Sequence, residues 1–317
     1  MSWTFQSVAV VGPGAIGLYY GGRLAAAGED VRFLLRSDFE EVSRHGIRAE
    51  SIHGDFAVPH AKSYQTPAAI GPVDLVIVAW KATANSEFER VLPPLLHQDT
   101  QVLTLQNGLG NCERIAQITG ADRVLGGLCF VCINRLAPGF VKHTGGGRMS
   151  VGEFRPDARG RAAEVARRFT AAGVPCEAVD DLGAEQWKKL VWNVPFNGLA
   201  ITEGGVTTDI LLGSRETEAE IRVLMAEVIS SAQALGYPLR ESLADTNIAN
   251  TRPMGAYRPS SMIDYLEGRD VEVDAIWAEP VRRAMAAGSH VPHMRKLLER
   301  IREKLIERAP TPPAAVR

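Results

Sequence analysis

The first residues whose spacing could do chemistry are Gly12-Pro13-Gly14-Ala15-Ile16-Gly17. They follow an apolar run from Phe5 to Val11 and precede a stretch from Leu18 to Ala27 that reads as a helix. Strand, glycine turn and helix is the order a dinucleotide-binding βαβ unit requires. Gly12 permits the tight turn, Gly14 keeps a Cβ out of the way of a pyrophosphate, and Gly17 lets the helix lie close to the strand. The N–H groups of the helix's first turn have no intrahelical partner. With the positive end of the helix dipole behind them, they suit an anion.

Three further polar residues fall where strands end. Val31-Arg32-Phe33-Leu34-Leu35 reads as the second strand, and the next residue is Arg36. An NAD-binding chain carries Asp or Glu there, about 20 residues past the glycines, to take the ribose 2′-hydroxyl. A guanidinium pairs instead with a 2′-phosphate, which a carboxylate would repel. Arg36 therefore points to NADP(H), the alternative being a solvated loop arginine. Val73 to Ala79 is a near-continuous apolar run, as in a parallel strand covered on both faces, and it leads to Trp80-Lys81. Gln101 to Leu105 leads likewise to Gln106-Asn107-Gly108-Leu109-Gly110. Ligands of open parallel sheets sit beyond the carboxyl ends of the strands, so Arg36, Lys81 and Asn107 are expected at one crevice. The plainer readings are a surface lysine for Lys81 and a turn former for Asn107.

Lys189, Asn193 and Asn197 stand four residues apart, which places them on one face of a helix. Trp187, Leu190, Val191 and Val194 fall elsewhere on the wheel. Such a polar stripe is unexpected on a helix that only packs a core; the bland alternative is a solvated face. Pro195 removes one helical N–H between the two asparagines and is expected to kink the helix. Cys129 and Cys132 form a C-x-x-C, but no second pair lies at zinc-ribbon spacing and the motif sits in an apolar β run. They read as buried structural thiols, and no metal site is expected.

The elements that must position these residues divide the chain at residue 180. Residues 1–180 read as an α/β Rossmann-type dinucleotide-binding domain. Within it, 46–58 form a small hairpin. Residues 123–152 complete the sheet, with a Pro138-Gly139 turn and a Gly145-Gly146-Gly147 loop. Residues 158–172 form an amphipathic helix, and a short strand around Val174 to Val179 follows. Residues 181–317 read as an all-α domain, with Asp181 as a helix cap and a long helix from Ser214 to Ala234. Ser260 or Ser261 caps another helix, a further one spans Ala275 to Ala287, and a frayed Pro/Ala-rich tail follows Ala309. The 317 residues suffice for two such domains. A net charge of −2 gives no general attraction to nucleic acid or anionic membrane. No stretch is apolar enough to span a bilayer. With no secretory signal and four cysteines read as reduced thiols, a cytoplasmic protein is expected. The long helix could serve the core or an interface, so a homodimer is one expected form.

Together these motifs resemble the ketopantoate reductases (2-dehydropantoate 2-reductases), NADPH-dependent enzymes of pantothenate biosynthesis. The resemblance rests on Gly12-x-Gly14-x-x-Gly17, Arg36, Lys81 and Gln106-Asn107-Gly108. It extends to Trp187-Lys188-Lys189-Leu190 with Asn193 and Asn197, to Ser260-Ser261-Met262, and to Glu272-Val273-Asp274. It implies a Rossmann-type domain followed by an all-helical one. It further implies that Lys189 is the general acid, that Glu272 stands near the reacting centre and contacts cofactor, and that Asn193, Asn197 and Ser261 hold the substrate's carboxylate and hydroxyl. Asn107 would bridge cofactor and substrate, while Arg36 and Lys81 would hold phosphates of NADPH. The segment between Ser261 and Glu272 is slightly shorter than in the best-known members, and Ile201 to Thr208 lacks an asparagine that some of them use. Three other activities remain open: reduction of another branched 2-keto acid, a 3-hydroxyacid or opine-type dehydrogenase, and a non-catalytic NADP(H) sensor.

Overall fold

A computed structural model describes residues 3–156 and 160–308. The chain divides into two compact units, Met1–Leu182 and Gly183–Arg317. In the first, the strands are β1 (Ser7–Val11), β2 (Asp30–Leu34), β3 (Ile47–Ser51), β4 (Phe56–Val58), β5 (Lys62–Tyr64), β6 (Leu75–Val78), β7 (Gln101–Thr104), β8 (Val124–Ala137), β9 (Phe140–Glu153) and β10 (Cys176–Val179). They form one mixed sheet in the order β4-β3-β9-β8-β7-β6-β1-β2-β5, with β10 on β9. From β8 through β5 every neighbouring pair is parallel. The helices of this unit are α1 (Ala15–Ala26), α2 (Phe39–His45), α3 (Asn111–Thr119) and α4 (Arg161–Ala171), beside shorter turns such as Ala82–Glu87.

β1 is fully covered, and its alternating side chains explain how. Val8 and Val10, with Leu75 and Ile77 of β6, join Leu18 and Leu24 of α1 and Val165 and Phe169 of α4 in one core layer. Ala9 and Val11, with Val76 and Val78, join Phe88, Val91, Cys112 and Ile115 in the other. Period-two alternation into two apolar layers is why these strands read as unbroken hydrophobic runs. The chain leaves β1 to β2 on one side, while β6 returns on its other side, so the strand order reverses at β1 and β6. Open sheets bind ligands at such a point.

Two local expectations change. Residues 46–58 do form a hairpin, β3 against β4. Gly145-Gly146-Gly147, expected as a loop, instead lies inside β9. There Phe130 pairs with Arg148 and Val131 with Gly146, so Gly147 is the extra residue of a bulge. The helix expected over 158–172 begins at Arg161; residues 158 and 159, and the tail after Ala309, lie outside the described residues.

The second unit is helical among its described residues. It contains α5 (Leu182–Thr202), α6 (Thr208–Gly213), α7 (Arg215–Ala234), α8 (Leu243–Thr251), α9 (Ser260–Leu266), α10 (Glu279–Ala286) and α11 (Pro292–Arg308). α7 starts at Ser214, whose hydroxyl accepts the Thr217 N–H. It buries Ile221, Leu224, Met225 and Val228, one helical face. α5 runs from Leu182 to Thr202 with Pro195 inside it, and Val191, Val194, Phe196, Leu199 and Ile201 are all buried. Neither Ser260 nor Ser261 caps α9, because Pro259 occupies the cap position and both serines lie in the first turn. The segment expected as a helix from Ala275 opens with a π turn, Asp274–Ala278, before α10.

Candidate active site

In the first unit the site is an edge of the sheet. β7, β6, β1 and β2 are adjacent and parallel, so their carboxyl ends lie side by side. Asn107 follows the first, Lys81 the second, the glycine turn the third and Arg36 the fourth. The Ala79 N–H donates to the Val11 carbonyl (2.9 Å), which ties the ends of β6 and β1 together. Gly12 has a φ of +69°, and a side chain there would collide with Trp80. Gly17 is also close-packed: a Cβ would stand 3.0 Å from both Ala79 Cβ and Val10 Cγ1. Gly14 differs. It occupies the cap of α1 without a side-chain cap bond, and a Cβ built on it meets nothing within 4 Å. Protein packing does not demand glycine at that position, while a phosphate lying over the helix N-terminus would.

Arg36 is exposed, but the chain around it is held. The Leu35 N–H donates to the Tyr64 carbonyl (2.8 Å), and the buried Asp38 carboxylate accepts from Arg135, the Ser37 hydroxyl (2.9 Å) and the Gly139 N–H (3.2 Å). Burial by itself would raise the Asp38 carboxyl, yet these donors outweigh it and hold it below the usual carboxylate range. Asp38 was not singled out by its sequence position; two of its three donors come from β8 and the turn after it. Lys81 is half-buried, and its carbonyl accepts the Ala84 N–H as the Ala82–Glu87 turn begins. The Asn107 carbonyl accepts from Asn111 Nδ2 (2.9 Å).

In the second unit the stripe lies on α5. Asn193 is 8% exposed and Asn197 only 1%, so the solvated-face alternative fails for both asparagines; Lys189 is half-buried. A buried amide needs partners. Asn197 Oδ1 accepts the Ser261 N–H (2.9 Å), 64 residues away, and thereby supplies α9 with the cap that Pro259 cannot. No described hydrogen bond uses the Asn193 side chain. Glu272 is 8% exposed and stands two residues before the π turn. Within that turn the Trp277 indole N–H donates to the Val194 carbonyl (3.0 Å), docking the segment on α5. Gly198 makes room, since a Cβ there would stand 3.0 Å from Trp277 Nε1. The structure thus gathers Asn193, Asn197, Ser261 and the Glu272 segment around one helix. Trp277 is the member that sequence reasoning missed.

Cys129 is buried and Cys132 half-buried, neither in a disulfide, and among the described residues no group of His, Cys, Asp or Glu could hold a metal ion. No described helix is long and apolar enough to cross a membrane.

The family model for "Ketopantoate reductase PanE/ApbA" matches residues 8–156, and the model for its C-terminal domain matches 181–305. The chain belongs to the ketopantoate reductase family. A 2-dehydropantoate 2-reductase of Nostoc sp. is 38% identical, with 94% of each chain covered. A 2-dehydropantoate 2-reductase of Halobacterium salinarum is 30% identical over 93% of this chain and 97% of its own. The crystal structure of the Geobacter metallireducens 2-dehydropantoate 2-reductase is 43% identical, has a TM-score of 0.92, and is matched over 94% of this chain and 99% of that one. As a ketopantoate reductase the chain has a Rossmann-like first domain and a helical second one. The family's cofactor is a nicotinamide dinucleotide, and the residues of the first unit fit one: an open Gly14 at a helix N-terminus, with cationic side chains after β2 and β6.

Proposed function

We propose that this chain reduces 2-dehydropantoate (ketopantoate) to pantoate with NADPH, a step of pantothenate biosynthesis, and that Lys189 is its general acid. The observation that carries the reading is the α5 stripe: a half-buried lysine, one turn from a nearly buried asparagine that no described group engages, in a chain both family models match. Residues 1–180 hold the dinucleotide in this reading, and residues 181–317 carry the groups that meet the keto acid. Arg36 pairs with the 2′-phosphate and selects NADPH over NADH. Lys81 holds a further phosphate, and the N–H groups of Ala15, Ile16 and Gly17 face the pyrophosphate. With none of its four cysteines in a disulfide, the enzyme works in the reducing cytoplasm.

When bound, the reduced nicotinamide supplies a hydride. As the ketone carbon gains that hydride, negative charge builds on its oxygen. The Lys189 ammonium stabilises the developing alkoxide and then donates a proton to it, leaving a neutral amine that solvent reprotonates. Asn193, Asn197 and Ser261 orient the substrate's carboxylate and hydroxyl. Asn107 bridges cofactor and substrate, and Glu272 sets the local charge near the reacting centre while contacting the cofactor.

The test is Lys189→Ala, assayed by NADPH absorbance loss on a panel of 2-keto acids with both nicotinamide cofactors. Loss of a general acid costs about 10²–10⁴-fold in rate, so turnover should nearly vanish while NADPH still binds. Near-normal turnover would end the mechanism. A wild-type preference for another keto acid would reassign the substrate. NADPH binding without oxidation across the whole panel would make the chain a sensor.

A further inference from the structure

Asn107 sits at the end of a chain of side-chain hydrogen bonds. The Thr104 hydroxyl donates to Gln106 Oε1 (2.9 Å), and Gln106 Nε2 donates to Asn85 Oδ1 (2.7 Å). Asn85 Nδ2 donates to Asn111 Oδ1 (2.8 Å), and Asn111 Nδ2 donates to the Asn107 carbonyl (2.9 Å). Each amide accepts from the previous member and donates to the next, so the dipoles align head to tail and each bond polarises its neighbour. The chain links the end of β7, the turn that follows Lys81 and the first residue of α3. Asn111 is 3% exposed, whereas Asn85 and Gln106 are half-buried.

The loop needs such a tie. Gly108 has a φ of +81° and Gly110 one of +89°, so Asn107 is followed by backbone with more conformers open to it than any other residue type allows. A free loop of this kind would hold Asn107 in several places. Packing fixes the two ends of the segment, at the buried Thr104 and the buried Asn111.

We propose that Asn85 and Asn111 are positioning residues: through this directional chain they hold Asn107, and the Lys81 segment with it, in the one register that brings keto acid and dinucleotide together. The proposal rests on Asn107 bridging the two, as read above. Neither residue needs to touch a ligand itself.

The experiment uses isosteric variants of the full-length enzyme. Asn111→Asp keeps the size and replaces only the donor to the Asn107 carbonyl with an oxygen. A carboxylate in the first turn of α3 is favoured by the helix dipole, so the melting temperature should hold. A displacement of about 1 Å from productive geometry costs about 10²-fold. At saturating NADPH, kcat should therefore fall about 10- to 100-fold. The primary isotope effect with C4-deuterated NADPH should rise, as hydride transfer becomes slower than release. Asn85→Leu, close in size and uncharged, interrupts the chain one link earlier and should act in the same direction. The double variant Asn85→Leu with Asn111→Asp should be no worse than Asn111→Asp alone, because both break one chain and no second charge is added beside the new carboxylate. An unchanged kcat and isotope effect in Asn111→Asp, or fully additive losses, would overturn the proposal. Asn107→Ala separates the two possible failures. Near-normal turnover there overturns the role of Asn107 and this proposal with it. A crippled Asn107→Ala beside an unaffected Asn111→Asp overturns the positioning chain alone.

Discussion

Gly14→Ala tests the phosphate cradle more sharply than any change at the other two glycines, because the protein itself does not resist it. Gly14 has φ −74° and ψ −154°, a conformation open to alanine, and its new methyl would meet no protein atom within 4 Å. Alanine is a poorer helix cap than glycine by about 0.5–1 kcal/mol. It also removes about 0.4–1 kcal/mol of unfolded-state freedom. The two offset, so stability should stay within about 0.5 kcal/mol of wild type, roughly 2 °C in melting temperature. Binding is different. The methyl would stand between the pyrophosphate and the N–H groups of the first turn. A charge-assisted hydrogen bond is worth about 1.5–3 kcal/mol, and each 1.4 kcal/mol is tenfold in affinity. Losing one such bond should raise the NADPH dissociation constant about 10- to 100-fold, read by cofactor fluorescence. Gly12→Ala is the contrast: its φ of +69° costs about 1–2 kcal/mol for an L-residue, and the methyl collides with Trp80. That variant should lose both stability and binding. A stable Gly14→Ala protein that binds NADPH as tightly as wild type would refute the reasoning, since the phosphates could not then lie over the start of α1.

Arg36→Ala should weaken NADPH by about 10- to 100-fold, one guanidinium–phosphate pair, while NADH changes little; equal losses in parallel titrations would remove the 2′-phosphate assignment. Asn197→Ala deprives α9 of its cap as well as removing the proposed substrate contact, so it should lower unfolding free energy by about 1–3 kcal/mol in urea titrations, a loss that an asparagine serving substrate alone would not produce. Asp74 governs an acid-dependent part of stability. Burial would raise its carboxyl, but the Gln6 and Ser7 N–H groups (2.8 and 2.9 Å), the Ser7 hydroxyl and His97 hold it below the usual range. A depressed carboxylate stabilises the fold above its unfolded pKa, about 3.9, and that contribution is lost as pH falls through the lower folded value. Asp74→Asn should therefore cost about 1–3 kcal/mol at pH 7 and progressively less as pH falls below 4; a gap independent of pH would show that the charge is not what matters.

How much of this was legible in the sequence depends on how far each residue's partner lies along the chain. β1, β6 and β7 could be read because a strand buried on both faces is an apolar run, a property of consecutive residues. Arg36, Lys81 and Asn107 could be read as one edge because strand ends are local and parallel strands align their carboxyl ends. The Gly145-Gly146-Gly147 stretch misled because glycines in a bulge and in a loop look alike until the opposite strand is known, and here that strand is β8. Gln106 was visible beside Asn107, yet its task is set by Asn85 on another element. Four-residue spacing put Lys189, Asn193 and Asn197 on one face, but spacing is silent about what the face meets.

What it meets also decides its chemistry. Asn197 Oδ1 already accepts the Ser261 N–H, and its Nδ2 adds a donor to the face. An ammonium and an amide N–H on one helix face are both donors, and donors match a molecule whose polar atoms are carboxylate, carbonyl and hydroxyl oxygens. A solvated face would not have buried Asn193 and Asn197 to 8% and 1% exposure. A purely structural role would explain Asn197, which caps α9, but not why Asn193 stands on the same buried face; the proposed substrate, a small oxygen-rich anion, would give its amide a partner.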